Sequence, residues 1–332
     1  MEEWFKLSIQ DRELIIKQVS SETGLLPVAV EKDLWVMIAL RGIFSTELKD
    51  HLVFKGGTSL SKAWGIIERF SEDIDLAIDR SFFGFNGDLS RQQIKNLRKA
   101  SCKYVSKQFC HSLHEALSGQ GVKEFELSVT KFEESDTDPL AVELRYKSLV
   151  DKQEYLQPRI LIEISSRSLI EPYEVKELRS LISEIFPDQE FAGKPVDIPT
   201  VLPSRTLLEK MFLLHEEFQK PNERKIRSAR MTRHLYDISK LMATKYLEDA
   251  LTDKELYSTI VEHRQKFTRI SWVDYSRHQY GTLQFLPPDH ILTDYRSDYE
   301  AMRESMFYGN TESFDNLLIK LRQLNERVNG IQ

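Results

Sequence analysis

Lys55-Gly56-Gly57-Thr58-Ser59-Leu60, followed closely by Arg69-Phe70-Ser71-Glu72-Asp73-Ile74-Asp75-Leu76-Ala77-Ile78-Asp79, is the stretch that decides the fold of this chain. Just ahead of it, His51-Leu52-Val53-Phe54 is a short apolar run ending on two glycines, the pattern of a buried strand feeding a turn. Thr58 is placed to cap a helix running to about Ile67. Asp73 to Asp79 alternates acid and apolar with period two, which predicts a strand with its acids on one face. The glycines permit positive φ and close backbone approach, and the helix behind them offers unpaired N–H groups to phosphate oxygens. Asp73 and Asp75 project from the same face with α-carbons roughly 7 Å apart. Such a pair suits Mg²⁺, a hard, oxygen-seeking ion that can hold a nucleoside triphosphate. Glu163, opposite the Ile160/Ile162/Ile164 face of a later alternating segment, is the candidate third acid. No Gly-Lys-Ser/Thr follows at the offset a Walker A loop requires.

Working outward, the first forty residues read as helical, with Pro27 in the first turn of a helix reaching about Ile43. A long helix is expected over roughly Leu89 to Ala116. Three alternating segments follow, marked by Phe125/Leu127/Val129, by Leu140/Val142/Leu144/Tyr146 and by Ile160/Ile162/Ile164. Strand signals then stop, and beyond a linker from Gly193 to Pro203 the chain reads as helical to its end, interrupted near Gly281 to Pro288. The expected fold class is α+β. Residues 1–200 would form a head with a mixed β-sheet flanked by helices, and residues 201–332 a C-terminal helical bundle.

With 332 residues, 41% of them hydrophobic, the chain can bury a real core, which excludes a disordered tail or a low-complexity scaffold. No apolar run approaches the ~20 residues of a membrane helix. The opening Met1-Glu2-Glu3-Trp4 is acidic and lacks a signal-like apolar stretch, so the expected compartment is the cytoplasm. Cys102 and Cys110 alone cannot build a disulfide framework or a zinc site. The net charge of −6 hides two basic stretches. Arg91 to Lys107 holds six basic residues and no acid, and Gln219 to Arg233 holds six against Glu223. Local patches of this kind, rather than the overall charge, are what could meet a polyanion.

The run from the apolar strand through Gly-Gly-Thr and a helix to Asp-x-Asp resembles the signature of the DNA polymerase β-type nucleotidyltransferase superfamily. The fuller string, Lys55 to Leu60 and Arg69 to Asp75, resembles the AbiEii/AbiGii-type nucleotidyltransferase toxins, relatives of the MenT toxins. Glu31-Lys32-Asp33-Leu34-Trp35-Val36 is similar to that family's opening helix, Pro203 to Lys210 to its lysine-bearing helix, and Arg233-His234-Leu235-Tyr236-Asp237 to its final acidic motif. Gly281 to Pro288 and Asp298 to Met302 are softer matches. The interval between Leu60 and Arg69 is slightly longer than in many members.

The resemblance implies a Mg²⁺-dependent enzyme that moves a nucleoside monophosphate from an NTP to an RNA acceptor, in particular a tRNA 3′ end. Its setting would be a toxin–antitoxin or phage-defence pair, with a cognate antitoxin that is a winged-helix regulator or a kinase-like protein. Asp73 and Asp75 match the metal ligands, with Glu163 as third acid. Gly56, Gly57, Thr58 and Ser59 match the phosphate-cradling turn. Lys210 matches a lysine that contacts the triphosphate, and Asp237 an acid used for positioning or deprotonation. Ser71 matches a serine at the nucleotide site that some relatives carry phosphorylated, which would set negative charge beside the metal ligands.

Plainer readings stand beside these. Lys210 could pair on the bundle surface, and Asp237 could pair with Arg233 at i−4. Arg227 and His234, separated by six residues in a helical segment, fit the loose pattern of HEPN-type ribonucleases, which is the rival enzyme class. A non-catalytic RNA-binding regulatory module is the other rival. Arg91, Lys95, Lys99, Lys103 and Lys107 recur every four residues and form a ridge suited to RNA backbone, with Lys95, Lys99 and Lys103 at its centre. Trp272, Tyr275, Tyr280, Phe285, Tyr295 and Tyr299 could stack bases, although packing within the bundle is their commoner use.

Overall fold

The computed structural model describes residues 1–71, 73–130, 137–151, 157–309 and 311–331. Two compact units emerge, one of Met1–Ala63 with Ser71–Val201, the other of Trp64–Phe70 with Leu202–Gln332. The segment Trp64–Phe70 therefore packs with the helical unit.

In the first unit, α1 (Glu2–Lys6), α2 (Ile9–Thr23) and α3 (Pro27–Ile43) open the chain. Ser8 caps α2 by accepting from the Asp11 N–H, and Gly24 closes it in the left-handed region. Pro27 starts α3, which is buried on nearly every side. Strand β1 (Leu52–Lys55) leads into α4 (Gly56–Lys62), and β2 (Asp73–Ile78) follows. Helix α4 thus begins two residues before Thr58 and stops short of Ile67, since the chain leaves for the second unit at Trp64 and Gly65 takes φ +61°.

The expected long helix is present, with one π-helical turn inside it. It runs as α5 (Arg91–Tyr104), a π-helical turn at Val105–Phe109, and α6 (Cys110–Gly119). Ser90 and Gln93 form a capping box at its start. Strands β3 (Phe125–Val129), β4 (Leu140–Tyr146) and β5 (Arg159–Ser165) match the alternating segments. Strand structure does not stop there. Tyr173–Leu178 forms β6 and, after α7 (Leu181–Ile185), Val196–Val201 forms β7 within the expected linker.

These strands make one mixed seven-stranded sheet in the order β3-β4-β5-β2-β1-β7-β6, an α+β fold with helices packed against the sheet. Strand β2 runs antiparallel to β1 and parallel to β5. Ile74, Leu76, Ile160, Ile162 and Ile164 are fully buried on one face with Val142 and Leu144. Period-two geometry then sends Asp73, Asp75 and Glu163 to the other face.

The second unit is helical, with α8 (Pro203–Phe218), α9 (Thr232–Leu241), α10 (Tyr246–Thr252), α11 (Lys254–His263), α12 (Leu292–Ser305) and α13 (Phe314–Asn329). Leu207, Leu208, Met211, Leu235, Ile238, Phe314, Leu317 and Leu321 fill its core. Phe285, Tyr295 and Tyr299 are fully buried there, and the last two donate their hydroxyls to the Arg227 and Glu312 carbonyls. Trp272 lies under the Arg224 guanidinium, 4.4 Å from its ring centre. The segment 68–70 joins this unit by pairing with 306–308, through Phe70 N to Met306 O at 2.8 Å and Tyr308 N to Glu68 O at 3.1 Å.

Candidate active site

The acidic strand sits where β1 turns into α4. Asp75 is flanked in register by Lys55 on β1 and by Glu163 on β5, and Asp73 is opposite Leu161. Neighbouring strands lie about 4.8 Å apart, so Asp75 and Glu163 are adjacent on the face that Asp73 shares. All three acids are half-buried. Gly56 has φ +79°, and a Cβ built on it would lie 2.0 Å from Asp75 Oδ2. No larger residue leaves room for that carboxylate. Carboxylates on adjacent strands are the donor chemistry a hard divalent cation requires. Among the described residues, no three His, Cys, Asp or Glu side chains converge closely enough to hold an ion as they stand.

Thr58 and Ser59 are buried, with their hydroxyls already engaged. Thr58 Oγ1 donates to the Asp73 carbonyl at 2.5 Å, tying α4 to β2, and Ser59 Oγ donates to the Gly56 carbonyl at 2.9 Å. Gly57 is buried in the same turn, and Ser71 is half-buried in irregular backbone ahead of β2. Glu72 lies outside the described residues. The opening-helix acids serve packing. Glu31 accepts from Ser148 Oγ at 2.6 Å and the Leu149 N–H at 2.7 Å, while Asp33 binds Lys62 and the Leu181 N–H.

A second cluster lies within the helical unit. Asp237 on α9 is wholly inaccessible to solvent. Arg69 Nε and Nη2 grip its two oxygens at 2.7 Å each, and Lys210 Nζ from α8 meets Oδ2 at 2.8 Å. Burial alone would raise the Asp237 pKa, but the Arg69 guanidinium and the Lys210 ammonium outweigh it and hold the carboxyl below its usual range. Burial lowers the Lys210 pKa, with Asp237 opposing the shift. Neither plainer reading describes this geometry. Lys210 is 8% exposed rather than a surface residue, and Asp237 pairs with Arg69 and Lys210 instead of Arg233. Arg69 is the residue that sequence reasoning missed. Its partner is 168 positions away, and no local spacing rule reaches that far.

The ribonuclease pattern loses its helix. Arg227 lies in irregular chain before α9, which starts at Thr232. Arg230 takes φ +60°, and Asp298 accepts the Thr232 N–H at 3.0 Å, which together place the break. Arg227 is committed to Glu217, with Nε to Oε2 at 2.9 Å. Burial, then Lys210 and Arg233, push the His234 pKa well below its ordinary value, so it stays neutral.

On α5, Arg91, Lys95, Lys99 and Lys103 are exposed, as is Lys107 in the π turn. Cys102 is buried, and burial pushes the Cys110 thiol up to about 11, so Cys110 is not a thiolate at neutral pH.

Comparison with known proteins agrees with this architecture. Residues 38–320 match the family model described as "Nucleotidyl transferase AbiEii toxin, Type IV TA system". The fold is similar to that of MenT4, a nucleotidyltransferase toxin from Mycobacterium tuberculosis H37Rv. The TM-score is 0.54 at 16% identity, covering 96% of this chain and 90% of that one. A search of curated proteins found no match. The chain belongs to the AbiEii nucleotidyltransferase toxin family, and so is an enzyme of the nucleotidyltransferase class. A type IV toxin implies a cognate antitoxin. Among the described residues, no helix is long and apolar enough to cross a membrane.

Proposed function

We propose that this enzyme transfers a nucleoside monophosphate from an NTP to an RNA hydroxyl, with a tRNA 3′ end as acceptor and Mg²⁺ as the required ion. The observation that carries the reading is the placement of Asp73, Asp75 and Glu163 on one sheet face beside Gly56, a position with no room for a side chain. Asp73, Asp75 and Glu163 would hold the ion. When bound, it withdraws charge from the reacting phosphoryl group.

The chain's own groups do the rest. Because the Thr58 and Ser59 hydroxyls are engaged by carbonyls, the Gly56–Gly57 turn meets phosphate oxygens through backbone N–H groups. Lys210 offsets the charge that moves onto the leaving pyrophosphate. Asp237 keeps Lys210 charged and in place. Ser71 is the point of neutralisation, since a phosphate there sets like charge two residues ahead of Asp73. Lys95, Lys99 and Lys103 hold the RNA backbone by charge. The protein acts in the cytoplasm, paired with its antitoxin in a toxin–antitoxin or phage-defence system.

Incubation with each labelled NTP, Mg²⁺ and total tRNA tests the proposal. Label on RNA is the expected result. Cleaved RNA would move the assignment to a ribonuclease, and unchanged RNA with every NTP would leave a non-catalytic RNA-binding module.

A further inference from the structure

Strand β6 ends the sheet. It pairs with β7 on one side, and among the described residues no strand pairs with its outer side. A free edge is a template for another strand, and proteins ordinarily blunt it with proline, a bulge, charged side chains or a covering element. The sequence Tyr173-Glu174-Val175-Lys176-Glu177-Leu178 has no proline, and its register with β7 runs without a bulge. Nor is the strand covered, since Tyr173 and Val175 are 42% and 60% exposed. Pro199 on β7 shows which backbone groups face outward. It stands opposite Val175 and has no N–H to give. An antiparallel ladder alternates pairs that exchange two hydrogen bonds with pairs that exchange none. The Val175–Pro199 pair is therefore of the second kind, and the N–H and C=O of Val175 point away from β7. By alternation the same holds for Tyr173 and Glu177, so three residues present donor and acceptor along the edge.

Charge decides which strand fits. The charged residues of β6 are placed so that the edge is its own complement. Lay a second β6 antiparallel about a two-fold axis perpendicular to the sheet. Paired residues share a sheet face, so that axis passes through a residue. Through Val175, it sets Glu174 of each copy opposite Lys176 of the other. Opposite charges at such positions stabilise a strand pair, and like charges destabilise it. Through Glu174 or Lys176, it sets that residue against its own copy. Only the Val175 register avoids the repulsion. There Val175 meets its copy in a hydrogen-bonded pair, and Tyr173 lies on the diagonal to it, within reach of an aromatic ring.

We propose that β6 is a self-association edge, at which two copies of this chain join β6 to β6 antiparallel in the register centred on Val175. The backbone groups of Tyr173, Val175 and Glu177 supply the ladder, and the paired Glu174 and Lys176 select the partner and fix the register. The contact uses the same patch on both copies, so it closes at a dimer.

The test is the mass of the full chain in solution, by sedimentation from micromolar to near-millimolar concentration in low salt, where exposed charges are least screened. Wild type should pass from monomer to dimer as concentration rises. Glu174→Lys and Lys176→Glu each turn both cross-strand pairs repulsive, and each should weaken the dimer by roughly tenfold or more. Mixed in equal amounts, the two variants should associate again, because every cross-strand pair then joins a lysine to a glutamate. Neither loss nor recovery of that kind follows from a folding defect. Melting temperatures measured at monomer concentrations should stay near that of wild type, since exposed charges contribute little to folding. A wild type that stays monomeric throughout overturns the proposal and leaves the edge to a strand of another protein. A dimer that Glu174→Lys does not weaken places the contact on a different surface. Variants that stay apart when mixed refute the Val175 register, and the proposal with it.

Discussion

Replacing Gly56 by alanine separates the acidic strand's chemistry from its architecture. At φ +79° an alanine costs about 1–2 kcal/mol in backbone strain. In a unit of this size that lowers the melting temperature by roughly 2–8 °C. The added methyl also lies 2.0 Å from Asp75 Oδ2, where ordinary contact begins at 3.4 Å, so the carboxylate must retreat by more than 1 Å. A misplacement of that size in a reacting site can cost about a hundredfold in rate. Gly24→Ala is the control, since φ is +72° and nothing lies within 4 Å of its added Cβ. It pays the strain alone. Transfer of labelled nucleotide to tRNA should therefore fall about a hundredfold in Gly56→Ala and hold in Gly24→Ala, at similar melting temperatures. Asp75→Asn, which leaves the turn intact, should lose transfer without the strain. If Gly56→Ala keeps half of wild-type transfer, or if Gly24→Ala loses as much, Asp75 is not the ion-holding carboxylate that its place beside Gly56 suggests.

Asp237→Asn should destabilise the protein by about 3–5 kcal/mol, because it leaves Arg69 and Lys210 buried against a neutral amide. A loss below 1 kcal/mol in denaturant unfolding would mean the triad is not the buried ion cluster described. Acid should weaken the helical unit through His215, whose pKa is lowered to about 4, first by burial and then by His278, from an ordinary 6.5. Between those values the unfolded chain holds a proton that the folded chain does not, so the contribution is complete above pH 6.5 and is lost as pH falls toward 4. His215→Asn should flatten this slope, and an unaltered pH–stability curve would count against it. Reversing Lys95, Lys99 and Lys103 to Glu should weaken tRNA binding and reduce the log–log salt slope by up to about one unit per lost contact, with melting barely changed. An unchanged slope would leave the ridge as a solvated face.

What the sequence revealed follows the reach of its patterns. Alternation exposed β2 and β5, because each is buried on one face and half-open on the other, and it also put Asp73, Asp75 and Glu163 on the open side. It failed at β6, where Tyr-Glu-Val-Lys-Glu-Leu buries only Leu178 and its edge position leaves the apolar residues exposed. It failed at β7 for another reason. Pro199 reads as a breaker, yet the register with β6 passes through Val175↔Pro199 without interruption. The π turn in the basic helix left no trace in the apolar periodicity. The loop at Arg227 was misread because six basic residues without an apolar stripe look the same in coil as in helix.

Asp237 shows why chemistry cannot be assigned to an acid from its motif alone. By spacing, its partner would be Arg233. The structure instead gives it three hydrogen bonds from two buried cations. Each stabilises the anion and makes protonation harder, and the resulting pKa lies below the ordinary carboxylate range. A base is useful when its pKa is near the working pH, so a carboxylate held this low is a poor acceptor for a hydroxyl proton. Of the two roles that the family resemblance left open, positioning is the one this environment favours. The consequence is experimental. A dead Asp237 variant reports the collapse of an ion cluster as readily as the loss of a catalytic step, and only a variant that melts like wild type can tell the two apart.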